Sequence, residues 1–134
     1  MPDELGAGAH GAVLLVEDEE VLRGALADAL RRRGVATVDV GSAEDAADRL
    51  ADGLRPALVF LDLNLPGRSG WDLLRDELAP APARPPIVLL TALTVDPARL
   101  QQYDVAGYLP KPFALTTFLA TAQRFLASVA GPTS

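Results

Sequence analysis

Five short apolar runs are spaced along this chain, with an amphipathic segment or a turn-rich connector after each. They are Ala12-Val-Leu-Leu-Val16, residues 35–40, Ala57-Leu-Val-Phe-Leu61, Ile87-Val-Leu-Leu90 and residues 106–109. Short continuous apolar runs fit strands buried on both faces of a sheet. Between them, Leu22, Ala25, Leu26, Ala29 and Leu30 recur with helical spacing, and Gly34 follows as a stop. Ser42 is placed to cap a second helix that carries Ala43, Ala46, Ala47 and Leu50 on one face. A third helix starts near Trp71 and ends before Pro80. Asp96 and Pro97 read as N-cap and first residue of a short fourth helix. Leu115, Phe118, Leu119, Ala122, Phe125, Leu126 and Val129 form the stripe of a fifth. Four prolines within residues 80–86 make that stretch a connector.

Strand and helix alternating five times predicts an α/β fold with a parallel sheet and helices on both faces. Right-handed crossovers make it doubly wound, and ligands in such sheets bind beyond the C-terminal ends of the strands. The expected organisation is a flexible leader (1–11), one domain (12–130) and a fraying tail (131–134). His10 falls in the leader, with no second histidine or any cysteine to support a metal site.

Composition narrows the function. The 134 residues carry a net charge of −6, which disfavours direct binding to nucleic acid. The one basic clump, Arg31 to Arg33, sits where a helix C-terminus welcomes positive charge. No apolar run approaches the ~20 residues of a membrane span. The N-terminus has the acids Asp3 and Glu4 and no positive flank, unlike a secretory signal. A cytoplasmic location is the expectation.

Polar residues then fall into one pattern. Glu17 and Asp18 follow the first strand, Asp62 ends the third, Thr91 ends the fourth and Lys111 follows the fifth. In a parallel sheet all five share one edge. Three neighbouring carboxylates repel one another unless a cation sits among them. Mg2+ takes one or two carboxylates, keeps several waters and binds phosphate oxygens. Asp18 and Asp62 are the expected direct ligands, with Glu17 on the metal or one of its waters and the backbone carbonyl of Asn64 as a further oxygen. Phosphoryl transfer then assigns Asp62 as nucleophile, Lys111 as a point charge for a phosphate oxygen and Thr91 as a hydroxyl donor.

These residues resemble those of the receiver domains of response regulators in bacterial two-component signalling. The resemblance rests on Val16-Glu-Asp-Glu19, Phe60-Leu-Asp-Leu-Asn-Leu-Pro-Gly67, Gly70, Thr91-Ala92 and Tyr108-Leu-Pro-Lys-Pro-Phe113. It rests also on their spacing, 44 residues from Asp18 to Asp62, 29 more to Thr91 and 20 more to Lys111. It implies a flavodoxin-like fold with strand order 2-1-3-4-5, a cis Lys111–Pro112 bond and a phosphoprotein that is not a turnover enzyme. The implied donor is a phosphohistidine on a sensor histidine kinase or histidine phosphotransfer protein, with Mg2+ as cofactor. Tyr108 is the implied switch aromatic, moving inward when Thr91 engages the phosphate. Asn64 and Leu93 hold positions that tune phosphate lifetime in the family. The stretch from Thr91 to Lys111 is about two residues shorter than usual there, which predicts a short or shifted fourth helix.

The resemblance also implies a downstream protein target and a monomer or weak dimer. Little sequence follows the last helix, so a stand-alone receiver is expected; the alternatives are the excised C-terminal receiver of a hybrid kinase and a binding module that ignores phosphorylation. Two other classes fit less well. A flavin-binding relative needs hydrogen-bond donors after the first strand, where this chain has four acids. A hydrolase of the haloacid dehalogenase type needs a second aspartate where Asn64 stands.

Overall fold

The computed structural model describes residues 11–65, 67–81, 84–92 and 94–130, with the side chains of 128–130 excepted. Most of the leader with His10, Pro66, Leu93 and the tail 131–134 lie outside the described residues. The elements run β1 (Val13–Val16), α1 (Glu20–Arg32), β2 (Thr37–Val40), α2 (Ala43–Ala51), β3 (Leu58–Asp62) and α3 (Gly70–Leu73). A π-helical turn (Leu74–Leu78) extends α3, followed by β4 (Ile87–Thr91), α4 (Pro97–Gln102), β5 (Gly107–Pro110) and α5 (Leu115–Ala130). All strand pairings are parallel and the order is β2-β1-β3-β4-β5. This is the doubly wound, flavodoxin-like arrangement.

Alternation along the strands sorts the core into two layers. Leu14, Val16, Val59, Leu61, Ile87 and Leu89 face Ala43, Ala46, Leu73, Leu74 and Leu78. Val13, Leu15, Leu58, Phe60, Val88 and Leu90 face Leu26, Leu30, Phe118 and Ala122 of α1 and α5. Phe60 and Phe118 meet at 4.4 Å between ring centroids. Central strands β1, β3 and β4 are buried at every position, as continuous apolar runs require.

Three details differ from expectation or refine it. Pairing of β2 starts at Thr37, not Val35, because the Val35 N–H closes α1 by donating to Leu30 O at 3.0 Å beside Gly34 at φ 78°. The third helix widens after its first turn, with Ala79 N–H donating to Leu74 O at 2.8 Å across five residues. That widening still buries Leu73, Leu74 and Leu78. Helix α4 has only six residues, none of them buried; Asp96 caps it by accepting from Ala98 N–H at 2.9 Å. Trp71 packs on the core and meets the Tyr103 ring, tilted, at 5.6 Å between centroids, with the Arg99 guanidinium 4.0 Å from its own ring centroid. Among the described residues, no helix is long and apolar enough to cross a membrane.

Candidate functional site

Register brings the polar residues to one edge. Val16 pairs with Leu61, Asp62 with Leu90, and Thr91 with Pro110. The residues after these positions therefore emerge together at the C-terminal ends of the strands.

Carboxyl oxygens of Glu17, Asp18 and Asp62 lie within 4.8 Å of one another. Their environments differ sharply. Glu17 is fully buried, Asp62 is 2% exposed and Asp18 faces solvent. Glu17 Oε2 accepts from Glu19 N–H at 3.0 Å. Glu17 Oε1 lies 2.7 Å from Lys111 Nζ, yet no donor is aligned on it as a hydrogen bond. Asp62 Oδ1 accepts from Asn64 N–H at 2.9 Å, and Oδ2 accepts from Lys111 Nζ at 3.3 Å.

Burial pushes the Asp62 carboxyl up to about 7. The Asn64 N–H works against this, Glu17 adds to it, and Lys111 lowers it again. For Lys111, burial lowers the pKa, but contact with Glu17 and the charge of Asp62 outweigh it, so the net direction is upward. The ammonium is charged, and two nearly buried acids compete for it.

Backbone geometry holds these groups in place. Lys111 N–H donates to Thr91 O at 2.7 Å, and the Lys111–Pro112 bond is cis, as the resemblance implied. Thr91 is buried at the end of β4. Ser69 caps α3 by accepting from Asp72 N–H at 3.1 Å while Asp72 Oδ2 accepts from Ser69 N–H at 3.2 Å, a reciprocal capping box. The next residue, Gly70, closes tightly on the site. A Cβ there would stand 2.4 Å from Asp62 O and 2.9 Å from Leu63 Cα.

The fold thus assembles Glu17, Asp18, Asp62 and Lys111 directly. Asn64 joins through its N–H. Tyr108 stays outside the cluster, 46% exposed on the edge strand β5. Two features are not visible in the sequence reading: the close approach of Gly70, and the shorter distance of Lys111 to Glu17 than to Asp62. Gly70 was part of the matching pattern, but only packing gives it a reason.

The donor set fits a hard divalent cation. Its oxygens are all carboxylate, Lys111 is the cation already set against them, and Asp18 opens the cluster to solvent.

Residues 13–123 match the family described as "Response regulator receiver domain". The chain belongs to that family. Receiver domains are signalling modules rather than turnover enzymes, and the acidic triad Glu17, Asp18 and Asp62 is typical of their phosphoacceptor and metal sites. Among relatives, it is 34% identical over 112 residues to the uncharacterized transcriptional regulatory protein YkoG of Bacillus subtilis, covering 82% of this chain and 48% of that protein. The non-phosphorylated HemR receiver domain from Leptospira biflexa superposes with a TM-score of 0.77 at 30% identity, covering 87% of this chain and 94% of that one. TrrA from Thermotoga maritima, in complex with Mg2+ and a beryllium fluoride, gives 0.73 at 25% identity, covering 86% and 98%. The receiver spans about half the length of the curated relatives it matches.

Proposed function

We propose that this receiver accepts a phosphoryl group on Asp62 from a phosphohistidine of a sensor histidine kinase or histidine phosphotransfer protein. A carboxylate oxygen of Asp62 attacks phosphorus as the bond to the imidazole nitrogen breaks. The bonding pair leaves on that nitrogen, and Asp62 becomes a mixed anhydride. Bound Mg2+ supplies positive charge that screens the carboxylates and the phosphoryl oxygens. Asp18 and Asp62 would hold it, with Glu17 on the metal or a metal-bound water and the Asn64 carbonyl as a further oxygen.

The chain's own residues do the rest. Lys111 offers its ammonium to a phosphoryl oxygen, and its two prolines restrict where that charge can go. Thr91 donates its hydroxyl to a second oxygen. Tyr108 follows Thr91 inward and changes the face around α4, β5 and α5, so phosphate biases an equilibrium between two arrangements. A protein partner reads that face; with a net charge of −6, the domain itself is a poor reader of nucleic acid. The reading takes the receiver to be cytoplasmic, a monomer or weak dimer, occupying residues 12–130.

The observation that carries this is the meeting of Glu17, Asp18 and Asp62 within 4.8 Å, with Lys111 Nζ 3.3 Å from Asp62 Oδ2. Fluorine NMR with beryllofluoride and Mg2+ tests it. A bound fluoride signal that requires Mg2+ and is lost in Asp62→Asn is expected. A signal that survives the substitution contradicts the assignment.

A further inference from the structure

Glu17 and Asp18 enter the site from the turn between β1 and α1, and one α1 side chain holds that turn from behind. Arg23 Nη1 donates to the main-chain oxygen of Glu17 at 2.9 Å. Its Nε lies 3.3 Å from Asp39 Oδ2 on β2. Asp39 is in turn held by Arg31, whose Nη2 is 2.7 Å from Oδ1 and also donates to Thr37 O at 2.9 Å. The guanidinium therefore joins helix α1, strand β2 and the acidic turn.

Space for it comes from Gly41, just past β2. A Cβ at that position would stand 2.6 Å from Arg23 Nη1, and the next two nearest atoms also belong to the Arg23 guanidinium. The fork geometry of arginine suits this double task, since separate N–H groups reach the carboxylate and the carbonyl at once.

The carbonyl of Glu17 and the N–H of Asp18 share one rigid peptide plane. Fixing the direction of that carbonyl fixes where Asp18 starts and how both acidic side chains leave the turn. We propose that Arg23 is a positioning residue for the cation site, holding the Glu17–Asp18 peptide plane so that both carboxylates converge on Asp62. This rests on reading the site as a Mg2+ site.

Calorimetric titration of the full chain with MgCl2 tests it, using Arg23→Ala, Arg23→Lys, Gly41→Ala and, as a control, Arg32→Ala on the exposed end of α1. Arg23→Ala is expected to weaken Mg2+ binding about tenfold, the usual scale for losing a group that orients a ligand. Arg23→Lys should recover part of the loss, because an ammonium can still reach one of the two acceptors. Gly41→Ala should weaken binding with Arg23 still present, since only the guanidinium end has to move. Arg32→Ala should match the wild type. Thermal melting run beside the titration separates positioning from bulk stability. A merely structural arginine lowers the melting temperature and leaves Mg2+ affinity alone. If Arg23→Ala fails to fold, Gly41→Ala decides. Affinities of the Arg23 and Gly41 variants within about twofold of wild type overturn the proposal and leave the site reading intact. A wild-type chain that takes up no Mg2+ overturns both.

Discussion

Lys111 Nζ lies 2.7 Å from Oε1 of the fully buried Glu17, closer than its 3.3 Å approach to Asp62 Oδ2. The lysine thus stands between two acids. In this arrangement it neutralises Glu17 first, and a cation placed among the carboxylates would share its electrostatic role.

That competition predicts opposite effects from one substitution. Lys111→Met leaves Glu17 buried beside Asp62 without its counter-charge, and the metal-free protein should lose about 3 kcal/mol in urea denaturation at neutral pH. Mg2+ affinity should rise by several-fold, because a positive charge 3.3 Å from Asp62 Oδ2 no longer competes with the ion for that carboxylate. Phosphoryl uptake should nevertheless fall by about 100-fold, the usual scale for losing one charge-stabilising donor. Weaker Mg2+ binding in this variant would contradict the arrangement.

Acidity at Asp62 sets a pH dependence. Its carboxyl is raised from 3.8 to about 7, chiefly by burial. Between those values the native metal-free protein binds a proton that the unfolded chain has released, so stability falls as pH rises through that window. Asp62→Asn removes the penalty. The variant should be more stable than wild type by a few kcal/mol above about pH 7, and the difference should vanish below about pH 4. Mg2+ has to displace the same proton, so its affinity should climb with pH up to about 7 and then level. Urea denaturation and calorimetry across pH check both parts.

Gly70 predicts a steric effect on the site. A methyl group there meets backbone atoms of Asp62 and Leu63, neither of which can swing aside as a side chain would. Gly70→Ala should cost about 1–3 kcal/mol of stability and weaken Mg2+ binding together, as chemical denaturation and titration would show. Unchanged Mg2+ affinity would mean that α3 moves and Asp62 does not.

How much of this was legible beforehand depends on the kind of feature. Continuous apolar runs located β1, β3 and β4, because a strand buried on both faces has to be apolar at every position. Asp62 stood out for the same reason, as a charge directly after five apolar strand residues. Boundaries were less legible. Val35 looks like strand, but its N–H is already used to close α1. The π-helical turn at Leu74–Leu78 has no signature in the apolar spacing. Side-chain partnerships between distant elements, such as Arg23 with Glu17 O and Asp39, depend on packing that periodicity does not encode.

Signalling beyond the site predicts a separable step at Thr91. Tyr108 is 46% exposed in this structure. With beryllofluoride and Mg2+ its ring should lose solvent exposure in wild type, as read by aromatic NMR with a soluble paramagnetic probe. Thr91→Ala should still bind beryllofluoride while the Tyr108 ring stays exposed. An inward shift of Tyr108 in that variant would detach the switch from Thr91.

Intact-protein mass spectrometry after acetyl phosphate and Mg2+ reads phosphorylation of Asp62 itself. One added phosphoryl group, about 80 Da, is expected, absent with EDTA and absent in Asp62→Asn. No adduct on the wild-type chain, or one that persists in Asp62→Asn, would contradict it.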